Sequence, residues 1–471
     1  MNLSISLSFA VIGLCVAIYR VLQIGKRDPR MPKGPPTVPV LGNAHMLPTT
    51  GLYKKMKEWT KIYGPVFSLK IGPSNTVVLC DRKAIHQLLL DENHFRVQEA
   101  EATVLMSNLC NNPDNFYSEI RRYTASVVTS ITYGCRAPTS DSFWCQWTAA
   151  MEPGANPPVD VFTWLQYIPS SFAFWKRRAI DAGKTMDGTW GEARRRVEER
   201  RAKGEKRRCI VDTLLDEYEK KGWPSSIPQH AFTNLLGEII EGGADTTAAQ
   251  LLTLILAFAL HPEVQAKARE EIDVVCGTER SPRWDDFSKL PYINCIVKEG
   301  MRWRPVAVTA LPHKVRQDDE YQGMLIPKDS TIFIPTWAIH HNENIYKDPE
   351  TFDPDRYAQH PRLANDYAGS PDWANRDHYN YGAGRRICPG IHLAERNMWR
   401  IASKLLWAFE FAEPTDPKTG EVMHLDPEAY NPGILQAPLP FKVSIKPRSE
   451  AHVATILREH EGSLEFLSQY S

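Results

Sequence analysis

Apolar residues recur along this chain with two periods, one helical and one alternating, and the expected elements follow from them. The longest helical pattern runs over residues 229–260 and is interrupted by Gly242-Gly243. Two adjacent glycines cost a helix interior roughly 1 kcal/mol each, so a local reason is required: close approach of another helix, or of a flat group. Residues 290–304 predict a further helix, stopped by Pro305. Residues 52–63 predict a short amphipathic helix, 97–134 are helical in pattern, and Asp81 predicts an N-cap for a helix over 82–91. Residues 66–71 and 76–79 flank Gly72-Pro73 and predict a strand pair. Residues 314–315, 321–327 and 331–334 predict one small sheet.

The chain ends add organisation. Residues 3–24 are apolar with Arg20 as their only charge, close to the ~20 residues that span a bilayer. Lys26, Arg27, Arg30 and Lys33 follow, and positive charge after a span puts the body on the cytoplasmic side. A cleaved signal peptide would need a basic start and a small-residue cleavage site, and neither is evident. The expected organisation is an N-terminal membrane anchor over 1–25 and a basic, proline-rich hinge over 26–43. A body over 44–450 and a polar, weakly amphipathic tail over 451–471 complete it. The run Pro32-Lys33-Gly34-Pro35-Pro36-Thr37-Val38-Pro39 is a stiff extended connector.

Composition excludes some classes. The 56 Lys and Arg balance 56 Asp and Glu, and with no basic block there is no footprint for nucleic acid. The charged stretch 194–208 reads as a solvated helix face and loop. The 9 cysteines are scattered and none forms Cys-x-x-Cys, which favours a reducing compartment.

The stretch Asn380-Tyr381-Gly382-Ala383-Gly384-Arg385-Arg386-Ile387-Cys388-Pro389-Gly390 carries the candidate chemistry. Glycines let the backbone turn and approach a flat partner, and arginines favour a thiolate. Residues 391–396 read as a helix start, whose dipole also favours negative charge at Cys388. A thiolate so placed suits an axial position on haem iron. A dinucleotide loop is rejected, because Ile387 stands where the third glycine belongs. Structural zinc would need a second Cys nearby. A buried structural cysteine stays open on the loop alone. His340-His341 with Glu343 could suggest a metal site, but adjacent histidines rarely face one ligand, and they read as a loop feature.

The loop resembles the haem-binding signature of the cytochrome P450 family, at Tyr381, Gly384, Arg386, Cys388 and Gly390, with Tyr for Phe at the first place. Gly242 to Thr247, Glu299 to Arg302 and Phe352 to Arg356 match further family motifs in order, within a resemblance covering about 32–448. It implies a P450-like fold, mainly α with small β-sheets. It implies haem b with Cys388 as axial thiolate, and Arg386 and His313 as partners of its propionates. Asp245 and Thr246 take the places of the acid–alcohol pair that handles protons for O–O cleavage. Without the Cys loop they would read as an ordinary polar face. Glu299 and Arg302, a commonplace pair by spacing alone, are implied to form a buried structural cluster with Arg356. Residues 306–311 and 434–437 match stretches lining the substrate pocket.

The implied activity is insertion of one oxygen atom from O2 into an apolar organic substrate, with electrons from NADPH through a separate reductase. The implied location is the endoplasmic reticulum membrane, and the likeness to fungal secondary-metabolite oxidases implies a biosynthetic role. One departure matters. Family members carry a helix bearing Trp-x-x-x-Arg, reaching a propionate, where residues 88–97 here pass straight to a later helix. No Trp lies between Trp59 and Trp144, and Thr148 and Met151 stand four after Trp144 and Trp147. Several dozen residues are thus missing relative to the family, which implies loosely held haem and slow or absent turnover. The rival readings are a degenerate or truncated member without catalysis, and a haem isomerase or dehydratase needing no reductase. The Asp245-Thr246 pair argues against the latter.

Overall fold

A computed structural model describes residues 19–20, 22–23, 25–27, 33–47, 52–64, 66–71, 74–79, 92–145, 163–223, 227–433 and 435–471. The expected helix over 82–91 and most of the expected anchor lie outside these residues. The chain divides into two compact units, Met1–Phe95 and Arg96–Ser471.

In the first unit, α1 (Leu52–Tyr63) precedes an antiparallel pair of β1 (Val66–Ile71) and β2 (Ser74–Leu79), with Val66 opposite Leu79 and Ile71 opposite Ser74. Trp59, Phe67 and Leu69 form its small core, the two rings meeting edge-on at 6.2 Å. Prolines bring carbonyls but no N–H, so their connector needs donors from elsewhere. Asn43 Nδ2 donates to Pro36 O (2.9 Å) and Pro35 O (3.1 Å), while its Oδ1 accepts from Lys70 N at 2.8 Å. Arg27 adds bonds to Gly34 O (2.9 Å) and Pro35 O (2.7 Å).

The second unit holds most of the described helices. α2 (Glu92–Asn111) leads through a 3-10 turn into α3 (Phe116–Tyr133), so the helical pattern over 97–134 is two helices. Gly134 ends α3 at φ +69°, a left-handed cap that a side chain would strain. α4 (Phe174–Ala202), α5 (Ile210–Lys221), α6 (Gln229–Leu260), α7 (Pro262–Cys276) and α8 (Pro291–Trp303) follow. Pro228 precedes α6, and Pro262 starts α7 with only His261 between the two helices. Residues 247–259 of α6 are all buried. Leu251, Leu254, Ile255 and Phe258 pack in one core with Ile293 and Ile296 of α8, and with Trp399, Ile401 and Leu405 of α11 (Ile391–Ala408). Each such fully buried side chain contributes about 1.5–3 kcal/mol. A second cluster joins Trp190 and Val197 of α4 to Phe232, Leu236 and Ile240 of α6. It explains Gly237: a Cβ there would stand 2.4 Å from the Trp190 ring.

The small sheets differ from expectation. β3 (His313–Lys314) pairs with β6 (Thr331–Ile332), while β4 (Asp319–Tyr321) and β5 (Met324–Ile326) form a separate hairpin, so one expected sheet is two. The short α9 (Thr336–His340) and α10 (Ala364–Ala368) precede α11. β7 (Phe409–Ala412) pairs with β8 (Ser444–Pro447).

The tail is a docked helix. α12 (Glu450–Leu467) starts at Ser449, whose hydroxyl accepts from His452 N. It buries His452, Thr455, Ile456 and Leu467, and Glu459 accepts from Ser281 N and Oγ at 3.1 and 2.5 Å. Among the described residues, α6 alone is long and apolar enough to cross a membrane, and it lies buried in the core.

Candidate active site

Cys388 lies half-buried between a 3-10 turn, Gly384–Arg386, and the start of α11. Its N–H donates to Tyr381 O at 2.9 Å, closing the loop on itself. Gly382 (φ +73°) and Gly384 (φ +67°) make the turn in a region that side chains disfavour. A Cβ added at either would meet nothing within 4 Å, so the backbone stands open there. Burial pushes the Cys388 thiol up, and the Gly390 N–H pulls it the other way. The expected support from Arg386 is not found: its side chain is exposed, and desolvation dominates at the sulfur. Tyr381 is buried, its ring 5.6 Å from that of His378. His313 is half-buried at the start of β3.

Mid-way along α6 the burial pattern breaks. Gly242 is exposed, and Gly243, Asp245 and Thr246 are half-buried, although residues 247–259 beyond them are all buried. The Thr246 hydroxyl donates to Gly242 O at 2.8 Å and Thr247 to Gly243 O at 3.0 Å, each turning back on the carbonyl four residues earlier. A Cβ at Gly242 would meet nothing within 4 Å, whereas at Gly243 it would touch Val128. So one glycine answers to helix packing on α3 and the other to open space. Asp245 lines a cavity of about 180 Å3 with Ser118, Arg121, Arg122 and Ser140. A cavity needs only ~10–15 Å3 to hold a first water, so this one has room for several. Burial raises the Asp245 carboxyl, and the Arg121 guanidinium opposes it.

Glu299, Arg302 and Arg356 are brought together. Arg302 forks onto Glu299 through Nε and Nη2, at 2.7 Å each, with neither side chain exposed. Arg356 Nε lies 3.5 Å from Glu299 Oε1, which also accepts from Asp353 N at 2.9 Å. The rest of the Arg302 fork donates to His340 O (3.0 Å), Pro349 O (2.8 Å) and Thr351 O (3.1 Å).

Two residues that carried no sequence signal stand beside this cluster. Lys298, next to Glu299, pairs with Asp377, both buried. Asp377 O accepts from Tyr357 OH at 3.0 Å and Tyr346 OH at 3.2 Å. His340, read as a loop feature, instead closes α9 with its ring fully buried. His341 stacks on Trp337 at 3.9 Å, and among the described residues no group of His, Cys, Asp and Glu gathers for a metal.

Open backbone at Gly382, Gly384 and Gly242, with a half-buried thiol on the loop, fits a flat group bound through sulfur. Comparison with known proteins identifies the class. The family profile Cytochrome P450 matches residues 32–114 and 106–445, and this chain belongs to that family of oxidoreductases. Among its relatives, Cytochrome P450 monooxygenase macC of Penicillium terrestre is 38% identical, over 97% of this chain and 96% of its own. Monooxygenase yanC of Aspergillus niger is 38% identical over 98% of each. Monooxygenase patI of Aspergillus clavatus is 37% identical, over 99% of this chain and 98% of its own. The alignment with macC runs over 523 positions against a chain of 471, so at least 52 of them have no counterpart here. These matches span nearly the whole of both chains and give the degenerate reading no support.

Proposed function

We propose that this protein inserts one oxygen atom from O2 into an apolar organic substrate in fungal secondary-metabolite biosynthesis, drawing electrons from NADPH through a separate reductase. The observation that carries the reading is Cys388, half-buried in an open glycine loop whose N–H bond to Tyr381 fixes the sulfur ahead of α11. Haem b, when bound through Cys388, supplies activation of O2, and thiolate ligation favours O–O cleavage. Arg386 and His313 would pair with its propionates, Tyr381, Gly384 and Gly390 shape the loop, and Glu299, Arg302 and Arg356 hold it in place.

The chain's own part in the reaction is proton handling and substrate placement. Burial raises the Asp245 carboxyl, so it holds a proton more readily than a free carboxyl, and the cavity it lines reaches Arg121 and Ser118. Thr246, on the open stretch of α6, passes the proton on through its hydroxyl. Gln436 N donates to Val306 O at 2.8 Å and Ala307 bridges to Leu435, joining the two stretches proposed to line the pocket. Their apolar residues, Val306, Ala310 and Leu435 among them, suit an apolar substrate. Residues 1–25 serve as a membrane anchor ahead of the hinge over 26–43. The body over 44–450 carries the catalysis, probing the cytoplasmic face of the endoplasmic reticulum, and the unmatched positions include the Trp-x-x-x-Arg helix.

The test is a carbon monoxide difference spectrum on the reduced protein, followed by turnover with reductase, NADPH and isotopically labelled O2. A red-shifted thiolate band and one labelled oxygen per product are expected. Absence of the band, or product formed without reductase, would sink the reading.

A further inference from the structure

His340 is the buried hinge through which the Glu299–Arg302 pair reaches the cysteine loop. Its carbonyl accepts from Arg302 Nη1 at 3.0 Å, and its ring Nε2 accepts from Tyr379 N at 2.9 Å. From Tyr379 the path continues along the loop: Gly382 N donates to Tyr379 O at 2.8 Å, and Cys388 N donates to Tyr381 O at 2.9 Å. Four hydrogen bonds therefore join α8 to the residue bearing the sulfur. The ring is fully buried, so no water competes for Nε2. Because Nε2 accepts, the ring is neutral with its proton on Nδ1, and Nδ1 has no hydrogen-bond partner among the described residues. A buried polar nitrogen left unpartnered is costly, and it persists where the other nitrogen performs a task. Burial also drives the His340 pKa well below its ordinary value, with the neighbouring His378 and Arg302 acting the same way and Asp377 opposing, which keeps the acceptor lone pair in place.

We propose that His340 is a positioning residue for Cys388: by accepting the Tyr379 N–H it sets the start of the loop and hence the place of the sulfur. The inference rests on the reading of Cys388 as the cofactor's thiolate, but the bond it invokes exists in the chain itself. Arg302 and Lys298 fix the surroundings of residues 377–379, and among the described residues His340 is the side chain that meets the Tyr379 N–H.

The experiment compares the full chain with His340→Phe, which fills the site without an acceptor, and His340→Gln, whose Oε1 stands near the place of Nε2. The first readout is the rate at which a maleimide labels Cys388, mapped by peptide, with buried Cys276 and Cys295 as internal controls. His340→Phe is expected to speed labelling of Cys388 roughly 5- to 10-fold, the factor that one lost hydrogen bond corresponds to, with the controls unchanged. His340→Gln is expected to restore the slow rate. Equal Cys388 rates in all three proteins would overturn the proposal, as would acceleration of all three cysteines together, which would make His340 a general core residue. The second readout is the reduced carbonyl spectrum, where His340→Phe should shift intensity from the thiolate band to the band of the neutral thiol and His340→Gln should restore it. A wild-type chain without a thiolate band but with the expected labelling pattern would overturn the functional reading and support the positioning role of His340.

Discussion

Arg302 and Glu299 close on each other through two parallel bonds of 2.7 Å, one helical turn apart and with no exposed side-chain surface on either. A pair so buried contributes little net stability compared with an apolar substitute, yet removing one partner leaves an uncompensated charge. Arg302→Met is therefore expected to destabilise by about 3–5 kcal/mol, read from urea midpoints. Arg302→Lys loses the fork and is expected to be nearly as costly. The double variant Glu299→Leu with Arg302→Met should recover only part of the loss, because the carbonyls of His340, Pro349 and Thr351 still lack their donor. Full recovery would mean those three bonds carry no weight.

Among the described residues Thr246 bonds only to Gly242 O within its own helix, so Thr246→Ala should change stability by no more than about 0.5 kcal/mol. Haem and substrate affinities should hold, while product per NADPH falls and hydrogen peroxide rises. Arg121→Gln removes the group that opposes burial at Asp245, so the carboxyl should rise further and the solvent isotope effect on turnover should change. Unaltered coupling in both variants would detach this stretch of α6 from proton delivery.

Elements with local causes were legible in the sequence; contacts between distant residues were not. α6 could be bounded because Pro228 and Pro262 punctuate an apolar run. The two glycines predicted a local need, and the structure divides it between Val128 packing at Gly243 and open space at Gly242. The tail was obscure because α12 docks through a few apolar residues, Ile456 and Leu467, and through polar groups, Thr455 on Thr278 O at 2.7 Å and Glu459 on Ser281, which no hydrophobic period reveals. The ring of His340 meets a backbone N–H at Tyr379, and neither spacing nor composition announces such a bond. At Cys388 the charge of Arg386 was visible in the sequence, whereas the burial that raises the thiol was not.

Glu395 gives a pH signature. Burial lifts its carboxyl from 4.5 to about 7, although Ala364 N (2.5 Å) and Asn365 N (3.3 Å) donate to it. The folded chain then binds this proton more tightly than the unfolded chain. Stability from this group is present below pH ~4.5 and is lost as pH rises through about 7, by something on the order of 3 kcal/mol. Glu395→Gln keeps an acceptor without the charge, so its urea midpoint should exceed that of the wild type at pH 8 and converge with it at pH 5. Parallel midpoints at both pH values would count against the shift.

Cys388→His should retain the fold, because the loop bond runs through the Cys388 N–H and not the sulfur. The red-shifted carbonyl band should disappear entirely. Its survival would assign the iron ligand elsewhere.

The final expectation concerns cofactor retention. At least 52 aligned positions of macC have no counterpart in this chain, and the family profile is matched in two stretches that meet at residues 106–114. On the proposed reading that places the Trp-x-x-x-Arg helix among the unmatched positions, a propionate keeps Arg386 and His313 but loses the arginine of that helix. A charged hydrogen bond is worth about 1.5–3 kcal/mol, which corresponds to haem held roughly 10- to 100-fold more weakly. Titrating this 471-residue chain with haemin, beside a chimaera that carries the corresponding segment of macC, measures the difference directly. The chimaera should bind at lower haemin concentration and lose haem more slowly to a scavenging apoprotein. Equal affinity and equal loss rates in the two proteins would show that the absent positions contribute nothing to holding the cofactor.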